Sequence, residues 1–167
     1  SRCRRCTRSW TGWRRSCRVA HARFSKIGKE QFIKKYHAIV HGNFAEDELA
    51  GLIDEPIGKE GDGVKRAVVA SGKKAQTRYR VLSQVKGASL VELRLLTGRT
   101  HQIRVHMAYL GHPLFGDPLY GIDDDFSRQA LNCFYLAFPD PFDNEKKRVI
   151  EIKDPQDMSK LWQKLVN

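Results

Sequence analysis

The sequence contains no hydrophobic run of the roughly 20 residues that a membrane-spanning helix requires. Arginine and tryptophan interrupt its first apolar stretch, so no secretory signal peptide is recognised either. Both absences predict a cytoplasmic protein without a membrane partner. With 167 residues, of which 41% are hydrophobic and 29% charged, the chain is long enough to form one domain with its own core.

Acidic residues are missing from the first 29 positions. Residues 1–20 instead contain seven arginines, three of the four cysteines and two of the three tryptophans. This stretch carries +7 of the net charge of +11, so the other 147 residues carry only +4. Positive charge favours a polyanionic partner such as RNA or DNA. The change in composition separates an atypical segment, 1–19, from a domain over 20–167. The segment is a basic tail, part of a zinc site, or non-native sequence from out-of-frame translation or a cloning vector.

Patterns of metal ligands are also scarce. Cys3 and Cys6 have the spacing of half a zinc site, but no second pair of Cys or His follows at a suitable distance. His101 and His106 are five positions apart, so a helix would place them on different faces. We therefore predict no metal site, and a basic, zinc-stabilised nucleic-acid-binding protein stays open as an alternative.

The hydrophobic pattern predicts more strands than helices. Alternating residues predict strands at 36–42, 64–70, 76–85, 89–96 and 146–153, and a short helical turn followed by a strand within 127–138. The Lys86-Gly87 turn predicts that 76–85 and 89–96 form an antiparallel hairpin. Helical spacing predicts helices at 20–35, 99–111 and from Pro155 onward, the last one N-capped by Asp154. Residues 43–73 contain many breakers, as does the stretch after Gly111. These elements predict an α+β fold with a mostly antiparallel mixed sheet and flanking helices.

The segment "TGRTHQIRVHMAYLGHPLFGD", residues 97–117, concentrates cationic and amide side chains at a predicted helix start that directly follows a strand. A helix N-terminus offers free N–H groups and the positive end of a dipole. Four side chains add donors there and are predicted to contact RNA phosphates or base edges: Arg99, Thr100, His101 and Gln102. Arg104 lies one turn later, beside the apolar face of Ile103 and Met107. A partly buried guanidinium needs an anion, so we predict a carboxylate partner.

The same segment, extended to "LLTGRTHQIRVHMAYLGHPLFGDPLYG", resembles the signature of RluA-type RNA pseudouridine synthases. Three other stretches match in order: "KKYHAIVHG", "PIGKEGDGVKRAVV…GKKAQTRYRVL" and "QALNCFYLAFPDP". The resemblance covers 20–167 and implies the pseudouridine synthase catalytic fold. It implies an isomerase that converts uridine to pseudouridine in structured RNA, without a metal or other cofactor. The target base is flipped out, an aspartate initiates glycosidic cleavage, and uracil is rejoined through carbon.

Residue by residue, the resemblance assigns three site positions and leaves one missing. Arg104 resembles the arginine that pairs with the catalytic aspartate. Tyr36 resembles the tyrosine that stacks on the base and assists proton removal, and Leu131 the apolar residue beneath the base. The family's aspartate stretch, His-Arg-Leu-Asp-x-x-Thr-Ser-Gly, would lie near Arg4 or Arg5, where this sequence has no acid. The resemblance therefore implies that the N-terminal part of the fold is missing or replaced.

Two functional predictions follow from this match. The first is a monomeric RNA pseudouridine synthase acting on ribosomal or transfer RNA. The second is a catalytically inactive RNA-binding fragment of such an enzyme, with another acid or solvent facing Arg104. RNA shape and appended domains select the target uridine.

Overall fold

The structure, a computed structural model, describes Gly28, residues 31–61 and residues 63–167. The atypical segment, with the half zinc site at Cys3 and Cys6, lies outside the described residues, as does most of the helix predicted over 20–35.

The described end of that predicted helix is a strand instead. Ile33, Lys34 and Lys35 open the first strand, and Lys34 and Lys35 pair with residues at the end of another strand. Pairing between strands outweighs the helical spacing of the apolar residues, because that spacing is a weak local preference. The helix prediction is therefore wrong over these three residues.

The described part of the chain contains eight strands, two α-helices and a short 3-10 helix. The strands are β1 (Ile33–His41), β2 (Ala50–Asp54), β3 (Ile57–Lys59), β4 (Arg66–Val68), β5 (Gln76–Val85), β6 (Ala88–Leu95), β7 (Leu131–Asp140) and β8 (Asp143–Glu151). The helices are α1 (Gln102–Tyr109) and α2 (Gln156–Val166), and the 3-10 helix is Glu46–Glu48. None of the described helices has the length and apolar character of a membrane span.

The chain divides into two compact units. The larger contains residues 33–136 and 150–167, and the described residues of the smaller are Gly28, residues 31 and 32, and residues 137–149. Within the smaller unit, Arg148 Nε donates to Asp140 Oδ2 at 2.6 Å. Every site residue discussed below belongs to the larger unit.

The larger unit contains a sheet with the strand order β2-β5-β6-β1-β7. Its β2–β5, β5–β6 and β6–β1 pairs are antiparallel, and Gly87, with φ +79°, completes the predicted β5–β6 hairpin. Strands β3 and β4 form a separate antiparallel pair. The predicted α+β class and antiparallel sheet are confirmed. The predicted loop at 43–73 contains β2 and β3 as well, because strands of five and three residues give too little alternation to be recognised.

Alternation along β1 separates two hydrophobic clusters. Ala38 and Val40 belong to one cluster, to which α1 contributes Ile103 and Met107. Ile39 belongs to the other cluster, which contains residues of α2 such as the buried Met158. Since successive side chains of a strand point to opposite faces, α1 and α2 cover opposite faces of the sheet.

The helix termini differ from the predictions in two places. Helix α1 starts at Gln102 rather than at residue 99, because His101 has the left-handed φ of 56°. Asp154 does not cap α2, whose N-cap is Pro155 without a side-chain hydrogen bond. The Asp154 carboxylate instead accepts hydrogen bonds from His37 Nδ1 at 2.7 Å and Asn132 Nδ2 at 2.9 Å.

Candidate functional site

Arg104 forms a two-pronged ion pair with Asp117. Its Nε donates to Asp117 Oδ2 at 2.7 Å, and its Nη2 donates to Oδ1 at 2.6 Å. The Asp117 side chain is completely buried, and that of Arg104 is only 12% exposed. A pair made through Nε and one terminal nitrogen leaves the other, Nη1, pointing away from the carboxylate. The sequence predicted either another acid or solvent as the partner of Arg104. In the structure the partner is an acid, Asp117.

The loop after α1 holds Asp117 in place. Asp117 Oδ1 also accepts hydrogen bonds from the N–H groups of Leu119 at 3.0 Å and Tyr120 at 3.1 Å. The glycines on either side are required by close backbone approaches. A Cβ on Gly116, whose φ is +64°, would collide with the Arg128 carbonyl oxygen, and one on Gly121 would collide with that of Asp117. The "GDPLYG" sequence therefore encodes a tight loop that presents a carboxylate to α1.

The charges of this pair reinforce each other. Burial alone would raise the pKa of Asp117, but hydrogen bonds from Arg104 and from the Leu119 and Tyr120 N–H groups outweigh it and lower that pKa below its ordinary value. The hydrogen bond to Asp117 raises the pKa of Arg104. Both groups are thus ionised at neutral pH, and the guanidinium is held at one position.

Tyr120 connects this pair to Arg66 and His101. Its ring lies 5.0 Å from the Arg104 guanidinium carbon. Its hydroxyl accepts a hydrogen bond from the Arg66 N–H at 2.8 Å and is 3.1 Å from His101 Nδ1. Burial, followed by the charge of Arg104, lowers the pKa of His101, so the imidazole is neutral at pH 7 and its Nδ1 can accept a hydrogen bond from the Tyr120 hydroxyl.

Gln102 is turned toward the protein interior. It is 2% exposed. Its Oε1 accepts from the Thr97 hydroxyl at 2.8 Å and from the Arg99 N–H at 2.9 Å. Its Nε2 donates to the Gln76 carbonyl and the Thr77 hydroxyl. With both donor hydrogens used, Gln102 shapes the turn before α1 and does not present a donor to RNA.

Arg99 and Thr100 lie on the surface of that turn. Both are exposed, and Arg99 Nε donates to the Lys74 carbonyl at 2.9 Å. Both residues also line a cavity beside the β3–β4 pair. Of the four predicted donors, Arg99 and Thr100 are therefore exposed and His101 is half-buried. Gln102 is buried and holds the turn before α1.

Tyr36 and Leu131 pack against the same hydrophobic cluster, the one that contains Ile103 of α1. Both are half-buried. Burial, followed by the neighbouring Cys133, raises the pKa of Tyr36 to about 12. The tyrosine is therefore a neutral phenol at physiological pH, able to donate a hydrogen bond but poorly suited to remove a proton as phenolate.

Asp117 and Tyr120 are the site residues that sequence reasoning missed. Both lie in a stretch predicted only as a turn-dense loop. The available signal was the pattern Gly-Asp-x-x-Tyr-Gly, which places an acid and an aromatic between two glycines. No group of three or more potential metal ligands occurs among the residues that the structure describes.

The sequence of this chain is similar to those of known RNA pseudouridine synthases. The family model described as RNA pseudouridylate synthase matches residues 16–109. The uncharacterized RNA pseudouridine synthase YjbO of Bacillus subtilis is 46% identical over 147 residues, which cover 86% of this chain and 51% of that protein. The ribosomal large subunit pseudouridine synthase D of Zymomonas mobilis is 38% identical over 146 residues, covering 80% of this chain and 45% of that protein.

A solved structure gives the same result. Human RNA Pseudouridylate Synthase Domain Containing 1 superposes with a TM-score of 0.69 at 27% identity, covering 90% of this chain and 71% of that chain. This chain spans about half the length of the curated relatives named above.

Proposed function

Because this chain belongs to the RNA pseudouridylate synthase family, we propose that it forms part of an enzyme that isomerises uridine to pseudouridine in structured RNA. The observation that carries the proposal is the rigid Arg104 guanidinium, held by Asp117 and Tyr120 at the start of α1. A fixed cation whose Nη1 hydrogen-bonds no other residue that the structure describes is suited to orient an anionic group.

We propose the following roles at the site. Arg104 uses Nη1 to orient the carboxylate that initiates glycosidic cleavage. Asp117 holds the forked guanidinium of Arg104 in place through Nε and Nη2. Tyr36 stacks on the target base as a neutral phenol, and Leu131 packs beneath that base. The shared hydrophobic cluster behind Tyr36 and Leu131 supports both assignments. The chemistry needs no metal or other cofactor.

The RNA partner is proposed to be ribosomal or transfer RNA, bound by a monomer in the cytoplasm. The name of the Zymomonas mobilis relative gives the ribosomal large subunit as its target, which favours ribosomal RNA. Arg99, Thr100 and His101 are the proposed RNA contacts of the turn before α1. The inward-facing Gln102 is proposed to support them rather than to touch RNA itself.

A second candidate is an RNA-binding chain without catalysis. The first acid of the sequence is Glu30, and the Asp117 carboxylate is completely buried beneath four hydrogen bonds. The first 29 residues therefore contain no carboxylate that could act on a bound uridine, and the Asp117 carboxylate is not accessible to one. The two candidates share the RNA-binding surface and differ only in chemistry.

A chimera tests the enzymatic role of Arg104. Residues 1–19 are replaced by a segment that contains the family stretch His-Arg-Leu-Asp-x-x-Thr-Ser-Gly, and tritium release from C5-labelled uridine in RNA is measured. Arg104→Lys in that chimera is expected to slow release about 100-fold, because a single ammonium cannot replace the fork. RNA affinity should stay within about threefold, since the charge is kept. Equal losses of rate and affinity would make Arg104 an RNA contact instead.

Arg99→Ala is expected to weaken RNA binding and to lower the salt dependence by about one phosphate contact, a slope change of about 0.7 to 0.9. Arg99 is exposed at the turn, so its loss removes charge without opening a cavity in the core. The measurement is the slope of log affinity against log salt concentration. Arg99→Lys is the matched control and should keep the slope. An alanine variant with the parental slope would remove Arg99 from the RNA interface.

A further inference from the structure

A cavity of about 310 Å³ lies between the β3–β4 pair and the turn before α1. Four basic residues from separate parts of the chain line it: Lys59 of β3, Arg66 of β4, Lys73 and Arg99. The cavity therefore collects positive charge from residues up to 40 positions apart, and this depends on the fold rather than on a local run of charge.

Within the part of the chain that the structure describes, the charge in this cavity is not compensated. None of the four basic residues forms an ion pair with another residue that the structure describes, and no described acid lines the cavity. The nearby Lys65 of the β3–β4 connection does pair, with Glu60 at 3.5 Å. Four like charges around one concave space repel each other, and a bound anion would relieve that repulsion.

The rest of the lining favours a phosphate over a base. The other lining residues that the structure describes are Ile57, Gly58, Ser71, Gly72 and Thr100, and none of them is an aromatic residue on which a base could stack. A Cβ on Gly58 would collide with Val69, and one on Gly72 would approach the Ile57 backbone to 2.6 Å. Both glycines therefore allow close packing at the wall of the cavity. The exposed hydroxyls of Ser71 and Thr100 add hydrogen-bond donors of the kind that phosphate oxygens accept.

The cavity adjoins the Arg104 site through Arg66. The Arg66 N–H donates to the Tyr120 hydroxyl at 2.8 Å, and the Tyr120 ring packs on Arg104. The cavity therefore lies beside the position proposed for the reacting nucleotide. Resting on the function proposed above, we propose that the cavity binds a backbone phosphate of the substrate RNA next to the target uridine, with Lys59, Arg66, Lys73 and Arg99 as its cations.

The test compares two triple variants of the 167-residue chain. One carries Lys59→Gln, Arg66→Gln and Lys73→Gln, and the control carries Lys86→Gln, Lys147→Gln and Lys160→Gln on other exposed surfaces. Both lose three charges, so a general electrostatic effect lowers affinity equally. The cavity variant is expected to bind a ribosomal RNA transcript at least about tenfold more weakly than the control, with a salt slope lower by about 0.7 to 0.9 or more.

A second probe separates this inference from the proposed function. Inorganic phosphate added to the parent chain should shift the amide NMR signals of Ser71 and Gly72, and the cavity variant should lose these shifts. If the parent binds RNA but the two triple variants behave alike and phosphate leaves these signals unchanged, the cavity inference is wrong and the proposed function stands. If phosphate shifts the signals but no salt-dependent RNA binding occurs, the cavity is an anion site and the proposed function is wrong.

Discussion

RNA incubated with this 167-residue chain is expected to release no tritium from C5-labelled uridine above the blank without protein, while still binding the chain. Pseudouridine formation requires a carboxylate at the base, and no acid occurs within the first 29 residues. Asp117, which lies nearest to Arg104, is not a substitute, because its side chain is buried and its oxygens accept hydrogen bonds from Arg104 and two backbone N–H groups.

Binding should survive because the exposed cations that carry it do not depend on that acid. The net charge of +11 and the basic turn before α1 predict an affinity that falls steeply between 50 and 200 mM salt. The experiment combines tritium release with a binding titration at both salt concentrations. The Zymomonas mobilis relative serves as positive control. Release above the blank would mean that another carboxylate of this chain reaches the uridine, and the second candidate function would be abandoned.

Asp117→Asn is expected to lower the free energy of unfolding by about 3 to 5 kcal/mol at pH 7, the usual cost of removing one partner of a buried ion pair. The amide keeps the shape of the carboxylate but leaves the guanidinium of Arg104, which is 12% exposed, without its counter-charge. Arg128 and Asp157 supply a matched control, since they form the same forked pair at 2.6 and 2.8 Å on the surface. Asp157→Asn should cost less than about 1 kcal/mol.

The pH dependence gives this prediction a second readout. The folded protein lowers the pKa of Asp117, so the pair contributes its full stability above the pKa of an unfolded aspartate, about 4. That contribution is lost as the pH falls through the lower, folded pKa. Urea unfolding should therefore show a large difference between parent and Asp117→Asn at pH 7 and a smaller one near pH 2 to 3. Equal costs for the Asp117 and Asp157 variants at pH 7 would contradict the burial argument.

The sequence alone was sufficient for the features that depend on near neighbours. The alternation of β5 and β6 around Lys86-Gly87 predicted their hairpin, and the apolar face of Ile103 and Met107 predicted α1 and its contact with the core. Gly111, with φ +83°, ends that helix as its position in the pattern predicts. Such features are set by bonds and contacts between residues close in sequence, so a short window contains the information.

Some strand segments that form by pairing with distant segments were not predicted from the sequence. Ile33 opens β1 instead of closing a helix, and the short β2 and β3 form inside a stretch of breakers, because β6, β5 and β4 supply their hydrogen bonds. A strand of three to five residues has little preference of its own and forms when a partner strand is present.

The site divides along the same line. The sequence by itself determined that the Arg104 guanidinium, next to an apolar helix face, needs an anion, because burying an unpaired charge is too costly. Only the tertiary structure decided that the anion is Asp117, 13 positions later, and that Gln102 faces inward while Arg99 joins three distant cations around one cavity. A residue's chemistry states what kind of partner it requires. Which residue becomes that partner depends on where the chain turns back. Here the loop after α1, bounded by Gly116 and Gly121, brings Asp117 to Arg104.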